Sequence, residues 1–249
     1  ESELPALREG GRELAEILET VKGATVAGIS TKELDELAEA EILKAGGQPS
    51  FKGYTPPGMT KKYPATLCVS VNNEVVHGLP GERVLKDGDL VGLDIGMEYK
   101  GFFTDMAVTI AVGSVIDREK KLLEICKAAL GLAISKTKAG VWTGDIGNAV
   151  QKFIEKSNFG VVRELVGHGV GRAVHEDPEM PNWGRVGSGA ILREREVVAI
   201  EPMITEGHYS VKLLSDGWTW VTRDGSKAAH FEHTLVVLKD GAEILTMLK

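Results

Sequence analysis

The chain of 249 residues lacks the features that mark several common protein classes. Its two cysteines, Cys68 and Cys126, lie 58 residues apart and are too few for a disulfide framework or a four-thiolate zinc site. No apolar run approaches the roughly 20 residues that a membrane-spanning helix needs. The chain opens with Glu1 and Glu3, where a secretory signal would be basic and then apolar. These absences predict a cytoplasmic protein with reduced cysteines.

Positive charge is also scarce. The 29 Lys and Arg residues are outnumbered by 36 Asp and Glu residues, which gives a formal net charge of −7. An acidic chain argues against a dedicated nucleic-acid site and against a polybasic membrane surface. The composition is otherwise that of a globular domain, because 43% of the residues are hydrophobic and 26% are charged.

The spacing of apolar residues predicts an alternation of helices and strands. Helical spacing runs over residues 4–22, from Ser30 to the glycines at 46 and 47, and over residues 117–136 and 143–158, whereas residues 49–64 are rich in proline and predict a loop. Strand-like segments are residues 67–71, 75–76, 89–97, 102–112, 197–200, 218–222, 231–238 and 244–248. The order of helices, strands, helices and strands predicts an α+β fold of two similar halves. Without a low-complexity linker, residues 1–249 are expected to form one domain.

Four acidic residues lie inside these apolar, strand-like segments, where acidic residues are normally rare. They are Asp94, Asp105, Glu201 and Glu232. A single such residue is explained by an edge strand or by backbone hydrogen bonds. Four are harder to explain in this way, because a buried carboxylate costs several kcal/mol unless it is paired.

The first two carboxylates are predicted to meet across a hairpin. A two-residue turn centred on Tyr99 and Lys100 would place Asp94 directly opposite Asp105, with side chains on the same face. Two carboxylates at that distance repel unless a proton or a cation lies between them, and neither strand carries a Lys or Arg nearby. A bound metal ion is therefore the simplest explanation.

The histidines allow both functional and structural interpretations. His168 lies among three glycines (GHGVG), which lets the backbone approach another group closely, but a glycine-rich turn with a hydrogen-bonded histidine would look the same. The segment departs from the G-x-G-x-x-G spacing of nucleotide-binding loops. His77 and His175 could each be ordinary surface or core residues. The remaining three are interpreted as structural: His208, His230 and His233.

Several short segments occur in a defined order along most of the chain. They are residues 70–80 (SVNNEVVHGLP), Asp94 with Asp105, residues 167–176 (GHGVGRAVHE), residues 200–203 (IEPM) and residues 231–234 (FEHT). The five candidate ligands are separated by 11, 63, 33 and 31 positions. In this order and spacing the chain resembles the type I methionine aminopeptidases, which are metallopeptidases. Val174 is a departure, because many of these proteins have an aromatic residue or leucine before the histidine.

The resemblance implies a fold and a metal centre. The fold is the α+β pita-bread (creatinase/aminopeptidase) fold, a pseudo-twofold, curved antiparallel sheet with helices on its outer face. The centre would hold two divalent ions, with cobalt, manganese, iron, zinc and nickel as candidates. Two of the ligands, Asp105 and Glu232, would bridge both ions. The full ligand set implied is Asp94, Asp105, His168, Glu201 and Glu232.

The resemblance also implies roles for side chains around the centre. His175 would contact the carbonyl oxygen of the first peptide bond, and His77 the nitrogen of the same bond. Glu201 would also carry a proton during hydrolysis. Cys68 and Trp218 are expected to line a pocket for the methionine side chain, together with part of the loop of residues 54–63.

The activity implied is removal of the initiator methionine when the second residue is small. The partners are then the N-terminal methionine of peptides and nascent chains, with the ribosome as a partner to consider. No membrane or nucleic-acid partner is expected, and we expect a monomer. One alternative is a proline-specific aminopeptidase or prolidase, which usually carries a further N-terminal domain, whereas only 93 residues precede Asp94 here. Others are a non-catalytic binding protein of the same fold and a metal with only a structural role.

Overall fold

The helices and strands follow the predicted alternation. The computed structural model describes residues 3–56 and 60–248, so residues 57–59 of the predicted loop lie outside its described part. The described residues form the helices α1 (Leu4–Ala24), α2 (Thr31–Lys44), α3 (Asp117–Lys136) and α4 (Thr143–Glu155). They form the strands β1 (Gln48–Pro49), β2 (Leu67–Val71), β3 (Glu74–Val76), β4 (Leu90–Tyr99), β5 (Phe102–Ala111), β6 (Gly160–Val161), β7 (Gly167–Gly169), β8 (Glu176–Met180), β9 (Val197–Ile200), β10 (Met203–Thr205), β11 (Val211–Leu213), β12 (Trp220–Thr222), β13 (Ala228–His230), β14 (Glu232–Val237) and β15 (Ala242–Ile244).

One antiparallel sheet runs through both halves of the chain. Its strand order is β1-β4-β5-β14-β9-β7-β8, with β2 also paired to β4 and β15 also paired to β14. The halves meet where β5 pairs with β14, and Glu232 lies opposite Ala107 there. Two smaller sheets have the orders β13-β10-β6 and β11-β12-β3. The central sheet thus brings strands from distant parts of the chain side by side.

Each half has its own pair of helices and its own hydrophobic core. Helices α1 and α2 pack on β2, β4 and β5, and their core includes Leu14, Leu34 and Leu93. Helices α3 and α4 pack on each other and on strands of the second half, with Leu122 and Leu235 in that core. This repeated arrangement of two helices against antiparallel strands confirms the two-halved α+β fold.

Local signals explain why the helices match their predictions. Ser30 caps α2: its Oγ accepts a hydrogen bond from the Glu33 backbone N–H at 3.2 Å. The Glu33 carboxylate in turn accepts one from the Ser30 N–H at 2.8 Å. This reciprocal capping box satisfies two amide groups that the first turn of a helix leaves unpaired. Among the residues that the structure describes, no helix is both long and apolar enough to cross a membrane.

The register predicted for the β4–β5 hairpin was wrong: the turn lies one residue further along the chain, so each residue of β4 faces a partner two positions further along β5. The turn consists of Lys100 and Gly101, whose φ angles of 52° and 84° suit a type I′ turn. Asp94 therefore lies opposite Ala107, and Asp105 lies opposite Gly96. The two aspartates are diagonal neighbours rather than direct partners. They still share one face of the sheet, because the shift of two positions preserves the alternation of the strand.

Other differences lie in the second half. The last strand is Ala242–Ile244, not residues 244–248, because it pairs with β14 at Leu235, Val236 and Val237. Several strands of three to five residues, including β7, β8 and β13, lie in segments that the sequence showed only as generally β-like. Such short strands carry too few alternating positions to be recognised before their partners are known.

Candidate metal centre

The five predicted ligands line one cavity in the main sheet. Asp94 lies on β4, Asp105 on β5, His168 on β7 and Glu232 on β14, and Glu201 directly follows β9. All five side chains belong to buried residues, with between 2% and 9% of their surface exposed. The sheet thus brings together side chains that are up to 138 positions apart in the sequence.

Three of these side chains converge on one point. One ligand atom from each of Asp105, His168 and Glu232 lies within 4.8 Å of the other two. Glu201 extends the cluster, because its Oε1 atom is 3.7 Å from Nε2 of His168. Asp94 lines the same cavity from the neighbouring strand. This set of carboxylate oxygens and one imidazole nitrogen suits a divalent ion of borderline hardness.

The hydrogen bonding of the cluster also fits a cation. Oδ1 of Asp94, Oδ1 of Asp105 and Oε1 of Glu232 are buried and have no hydrogen-bond partner among the described residues. Buried polar atoms without partners are rare in folded proteins, and each one costs about 1–3 kcal/mol. A metal ion would satisfy all three atoms at once.

Three of the four carboxylates are poorly stabilised as anions by the protein alone. Glu201 is the exception, because burial raises its pKa but contact with His230 outweighs this effect and lowers the pKa overall. Burial raises the pKa of Asp94 to about 7, with the Glu201 charge adding to the effect. Burial and the Asp94 charge raise the pKa of Asp105 well above its usual range. Burial and the neighbouring carboxylates do the same to Glu232. The folded chain therefore favours either protons or metal ions at this position.

Hydrogen bonds outside the cluster hold two of the candidate ligands. The Thr234 hydroxyl on β14 accepts a bond from the Asp105 N–H at 2.8 Å and donates one to the Asp105 carbonyl at 2.7 Å. Nδ1 of His168 lies 2.8 Å from the carbonyl oxygen of Gly169. A proton on Nδ1 would then leave Nε2 free as an acceptor, which is the usual arrangement for a metal-binding histidine.

His77 and His175 line the same cavity as the carboxylates. Burial lowers the pKa of His77 to about 4, and loss of solvation with the nearby His168 lowers that of His175 to about 4. Both rings are therefore neutral at pH 7, and each carries one N–H donor. Nδ1 of His175 lies 2.8 Å from the Tyr54 hydroxyl, so this ring is held by a hydrogen bond.

An apolar cluster also lines this cavity. Cys68 and Trp218, the two predicted pocket residues, belong to it and are 3% and 6% exposed. Phe51 and Tyr63 also belong to it, and Val174 packs there directly before His175. The cavity thus has one acidic wall and one apolar wall.

One histidine at the site was misread from the sequence. His230, interpreted there as structural, lies with Nε2 3.3 Å from Oε2 of Glu201 and 3.9 Å from Oε2 of Glu232. The two-residue spacing of His230 and Glu232 could have indicated this, because alternate residues of extended chain share a face. Tyr54 belongs to the loop that was expected at the pocket, and it does line the cavity, but no sequence signal marks its contact with His175.

The other two histidines lie elsewhere. Nδ1 of His233 is 3.0 Å from the Thr246 hydroxyl, and the ring of His208 stacks on Tyr209. Neither lines the cavity of the carboxylates.

Comparison with known proteins gives consistent results. The pattern of metallopeptidase family M24 matches residues 5–239. The methionine aminopeptidase of Clostridium perfringens is 46% identical over 249 residues, which cover 100% of this chain and 98% of that protein. Methionine aminopeptidase 1 of Bacillus subtilis is 47% identical over 244 residues, which cover 98% of this chain and 96% of that protein.

Solved structures show the same likeness. The crystal structure of methionine aminopeptidase from Thermotoga maritima matches with a TM-score of 0.94 at 43% identity, covering 98% of this chain and 96% of that one. Prolidase from Pyrococcus furiosus matches with a TM-score of 0.78 at 19% identity, covering 100% of this chain and 65% of that one. The second likeness concerns the fold alone.

Proposed function

The chain belongs to metallopeptidase family M24, and from this premise we propose that it is a methionine aminopeptidase that removes the initiator methionine. The observation that carries the proposal is the single cavity that combines four buried carboxylates and His168 with an apolar wall. Its sequence likeness to methionine aminopeptidases, at 46% and 47% identity over nearly the full chain, supports the same activity.

The acidic wall would hold two divalent ions. The proposed ligands are Asp94, Asp105, His168, Glu201 and Glu232, and the unpaired oxygens of three of them support this assignment. Four carboxylates bring a charge that two divalent ions balance. When bound, such ions supply Lewis acidity and lower the pKa of a water molecule towards 7.

The neutral histidines would act on the peptide bond. An N–H donor on Nε2 of His175 would stabilise negative charge that develops on the carbonyl oxygen. This tautomer requires Nδ1 to accept a hydrogen bond, and the Tyr54 hydroxyl lies 2.8 Å away to donate it. His77 would contact the nitrogen of the same bond, and Glu201 would move a proton to the departing amine.

The apolar wall would select the first residue of the substrate. Cys68, Tyr63, Phe51 and Trp218 provide a buried surface that suits an unbranched thioether side chain. We expect the second residue to be small, as the resemblance to the family implies.

The cellular setting is also part of the proposal. The two free, buried cysteines support an enzyme of the cytoplasm, and we expect it to be a monomer. Nascent chains, and with them the ribosome, would be its partners. Because the main sheet joins both halves, we treat residues 1–249 as one catalytic domain.

The test is release of the first residue from Met-Ala-Ser and from Ala-Pro-Ser by metal-free, manganese-loaded and cobalt-loaded protein. We expect release of methionine from Met-Ala-Ser only when metal is present. Cleavage of Ala-Pro-Ser instead would indicate a proline-specific peptidase. No cleavage of either peptide by protein that binds metal would contradict the proposal.

A variant of one proposed ligand makes the test specific. Glu232→Gln preserves the shape of the side chain but removes its charge, so kcat/KM should fall by more than about 100-fold, the upper range for residues that only support a ligand. Glu179→Gln is a matched control, because Glu179 is exposed on β8. Equal losses in both variants would show that the effect is not specific to the metal centre.

A further inference from the structure

His230 is a buried histidine whose contacts lie at the metal centre rather than in the core. Only 3% of its surface is exposed, and its Nε2 atom has no partner with full hydrogen-bonding geometry among the described residues. The Oε2 atom of Glu201 lies 3.3 Å from it, and that of Glu232 lies 3.9 Å away. The ring therefore directs one nitrogen at a pair of carboxylates, and Glu201 is the nearer.

The backbone of His230 is anchored independently of these contacts. Its N–H donates to the Thr109 hydroxyl at 2.8 Å, and its carbonyl accepts from the same hydroxyl at 2.8 Å. It also lies opposite Met203 in the pairing of β10 with β13. Because the main chain is held on both sides, the side chain can act as a fixed support for a neighbour.

Glu201 is the candidate ligand that most needs such a support. Asp94, Asp105, His168 and Glu232 lie within strands, where the ladder of hydrogen bonds fixes the backbone. Glu201 instead lies between the end of β9 and the start of β10. Its carbonyl accepts a bond from Nδ2 of Asn182 at 2.9 Å, which holds the main chain but not the carboxylate.

The two oxygens of Glu201 face different partners. Oε1 lies 3.7 Å from Nε2 of His168, on the side of the proposed ligands, whereas Oε2 lies 3.3 Å from Nε2 of His230. Contact with His230 thus accounts for which oxygen of Glu201 is left to face His168.

We propose that His230 is a positioning residue that donates a hydrogen bond from Nε2 to Oε2 of Glu201 and so presents Oε1 to a bound metal ion. This inference rests on the proposed function for the identity of the centre. His230 lies nearer to Oε2 of Glu201, at 3.3 Å, than to Oε2 of Glu232, at 3.9 Å, so the role we assign to it is that of a donor to Glu201. Donors of this kind change metal affinity about 10–100-fold when they are removed.

Three substitutions separate this role from others. His230→Gln places an amide N–H close to the position of Nε2, whereas His230→Asn places one close to the position of Nδ1. His230→Leu removes the donor but keeps a side chain of similar bulk. The control is His208→Leu, because His208 stacks on Tyr209 outside the cavity.

The first readout is calorimetric titration of the metal-free proteins with Mn²⁺. We expect the Leu and Asn variants to bind one ion about 10–100-fold more weakly, and the Gln variant to stay within about threefold of the unmodified protein. Thermal unfolding of the metal-free proteins identifies any variant that fails to fold. In hydrolysis of Met-Ala-Ser, kcat should fall in the Leu and Asn variants while KM changes little.

Three outcomes would overturn the proposal. Equal affinities in the Gln and Asn variants would show that the position of the donor does not matter. Full affinity in the Leu variant would show that no donor is needed. Loss of Mn²⁺ affinity in all three variants, Gln included, would indicate that the imidazole binds the metal directly. The titration is independent of peptide cleavage, so an unmodified protein that binds Mn²⁺ but cleaves no peptide would contradict the proposed function alone.

Discussion

At the scale of single residues, the site depends on specific contacts that hold its side chains. His175 is an example, because its ring is exposed at the cavity and its Nδ1 atom is tied to Tyr54 at 2.8 Å. The two rings also lie against each other, with centroids 5.2 Å apart. Without the hydroxyl, both the ring orientation and the position of its single proton would be less restricted.

The Tyr54 hydroxyl is therefore predicted to support the chemical step. In Tyr54→Phe the aromatic contact remains but the hydrogen bond is lost, and a net hydrogen bond contributes about 1 kcal/mol. We expect kcat for Met-Ala-Ser to fall about five- to tenfold while KM stays within about twofold. Steady-state kinetics of the metal-loaded protein measure both quantities.

The matched control for this change is Tyr209→Phe, because Tyr209 stacks on His208 and does not line the cavity. An unchanged kcat in Tyr54→Phe would contradict the role. A change in KM alone would assign Tyr54 to substrate binding instead.

At the scale of elements, the short strand β7 shows how close packing places a ligand. His168 lies between Gly167 and Gly169, and β7 has β8 on one side and β9 on the other. A Cβ atom at Gly169 would overlap the carbonyl oxygen of Asp177, and one at Gly167 would overlap that of Ala199. The glycines are thus required by the neighbouring backbone, which allows β7 to lie where His168 reaches the carboxylates.

Gly169→Ala is predicted to displace this strand. The added methyl group would force the backbone of β7 or β8 to move, at a cost of about 1–3 kcal/mol in the free energy of unfolding. Because His168 is the adjacent residue, Mn²⁺ affinity should fall as well. Chemical denaturation and metal titration measure the two effects.

Gly131→Ala in α3 provides the matched control. A Cβ atom at Gly131 would have no neighbour within 4 Å, and alanine favours a helix by about 1 kcal/mol over glycine. This control should therefore be more stable than the unmodified protein. A Gly169→Ala protein with unchanged stability and unchanged metal affinity would contradict the packing argument.

At the scale of the whole molecule, the proposed metal centre joins the two halves. Asp94 and Asp105 come from strands of the first half, whereas His168, Glu201 and Glu232 come from the second. In the metal-free protein, burial and the neighbouring negative charges raise the pKa values of Asp94, Asp105 and Glu232. A bound ion would replace repulsion by attraction and would stabilise the folded state by mass action.

Stabilisation by metal is predicted to increase with pH. The pKa of Asp94 is raised from 3.8 to about 7, so its contribution to the stability of the metal-free fold is present below about pH 4 and is lost as the pH rises through about 7. Metal ions replace these protons, and their binding therefore strengthens over the same range. We expect the difference in Tm between samples with Mn²⁺ and with EDTA to grow from pH 5 to pH 8.

The contributions of the neutral histidines to the stability of the fold depend on pH in the opposite direction. The pKa values of His77 and His175 are lowered to about 4, so their contributions are present above pH 6.5 and are lost as the pH falls through about 4. These histidine contributions are present both with Mn²⁺ and with EDTA, so they largely cancel in the difference in Tm between the two samples. Thermal unfolding followed by circular dichroism measures the effect, and a difference in Tm that is constant or decreases with pH would contradict the prediction.

The sequence by itself determined the helices, the two-halved order and the choice of candidate ligands. The helices α2 and α3 begin where they were predicted, because capping and apolar spacing act between residues three and four positions apart. The acidic residues stood out because a carboxylate inside an apolar strand is costly wherever the strand lies. These signals are local, so one sequence is enough to read them.

Only the tertiary structure decided the register of the β4–β5 hairpin and the surroundings of the ligands. The turn lies at Lys100 and Gly101 because both adopt positive φ angles, and shifting it by one residue changes every pair along the strands. His230 and Tyr54 meet Glu201 and His175 from elements that are 29 and 121 positions away in the sequence. Such contacts depend on how sheets and loops pack. The alternation of His230 and Glu232 indicates a shared face, but it does not indicate that Glu201 lies within reach.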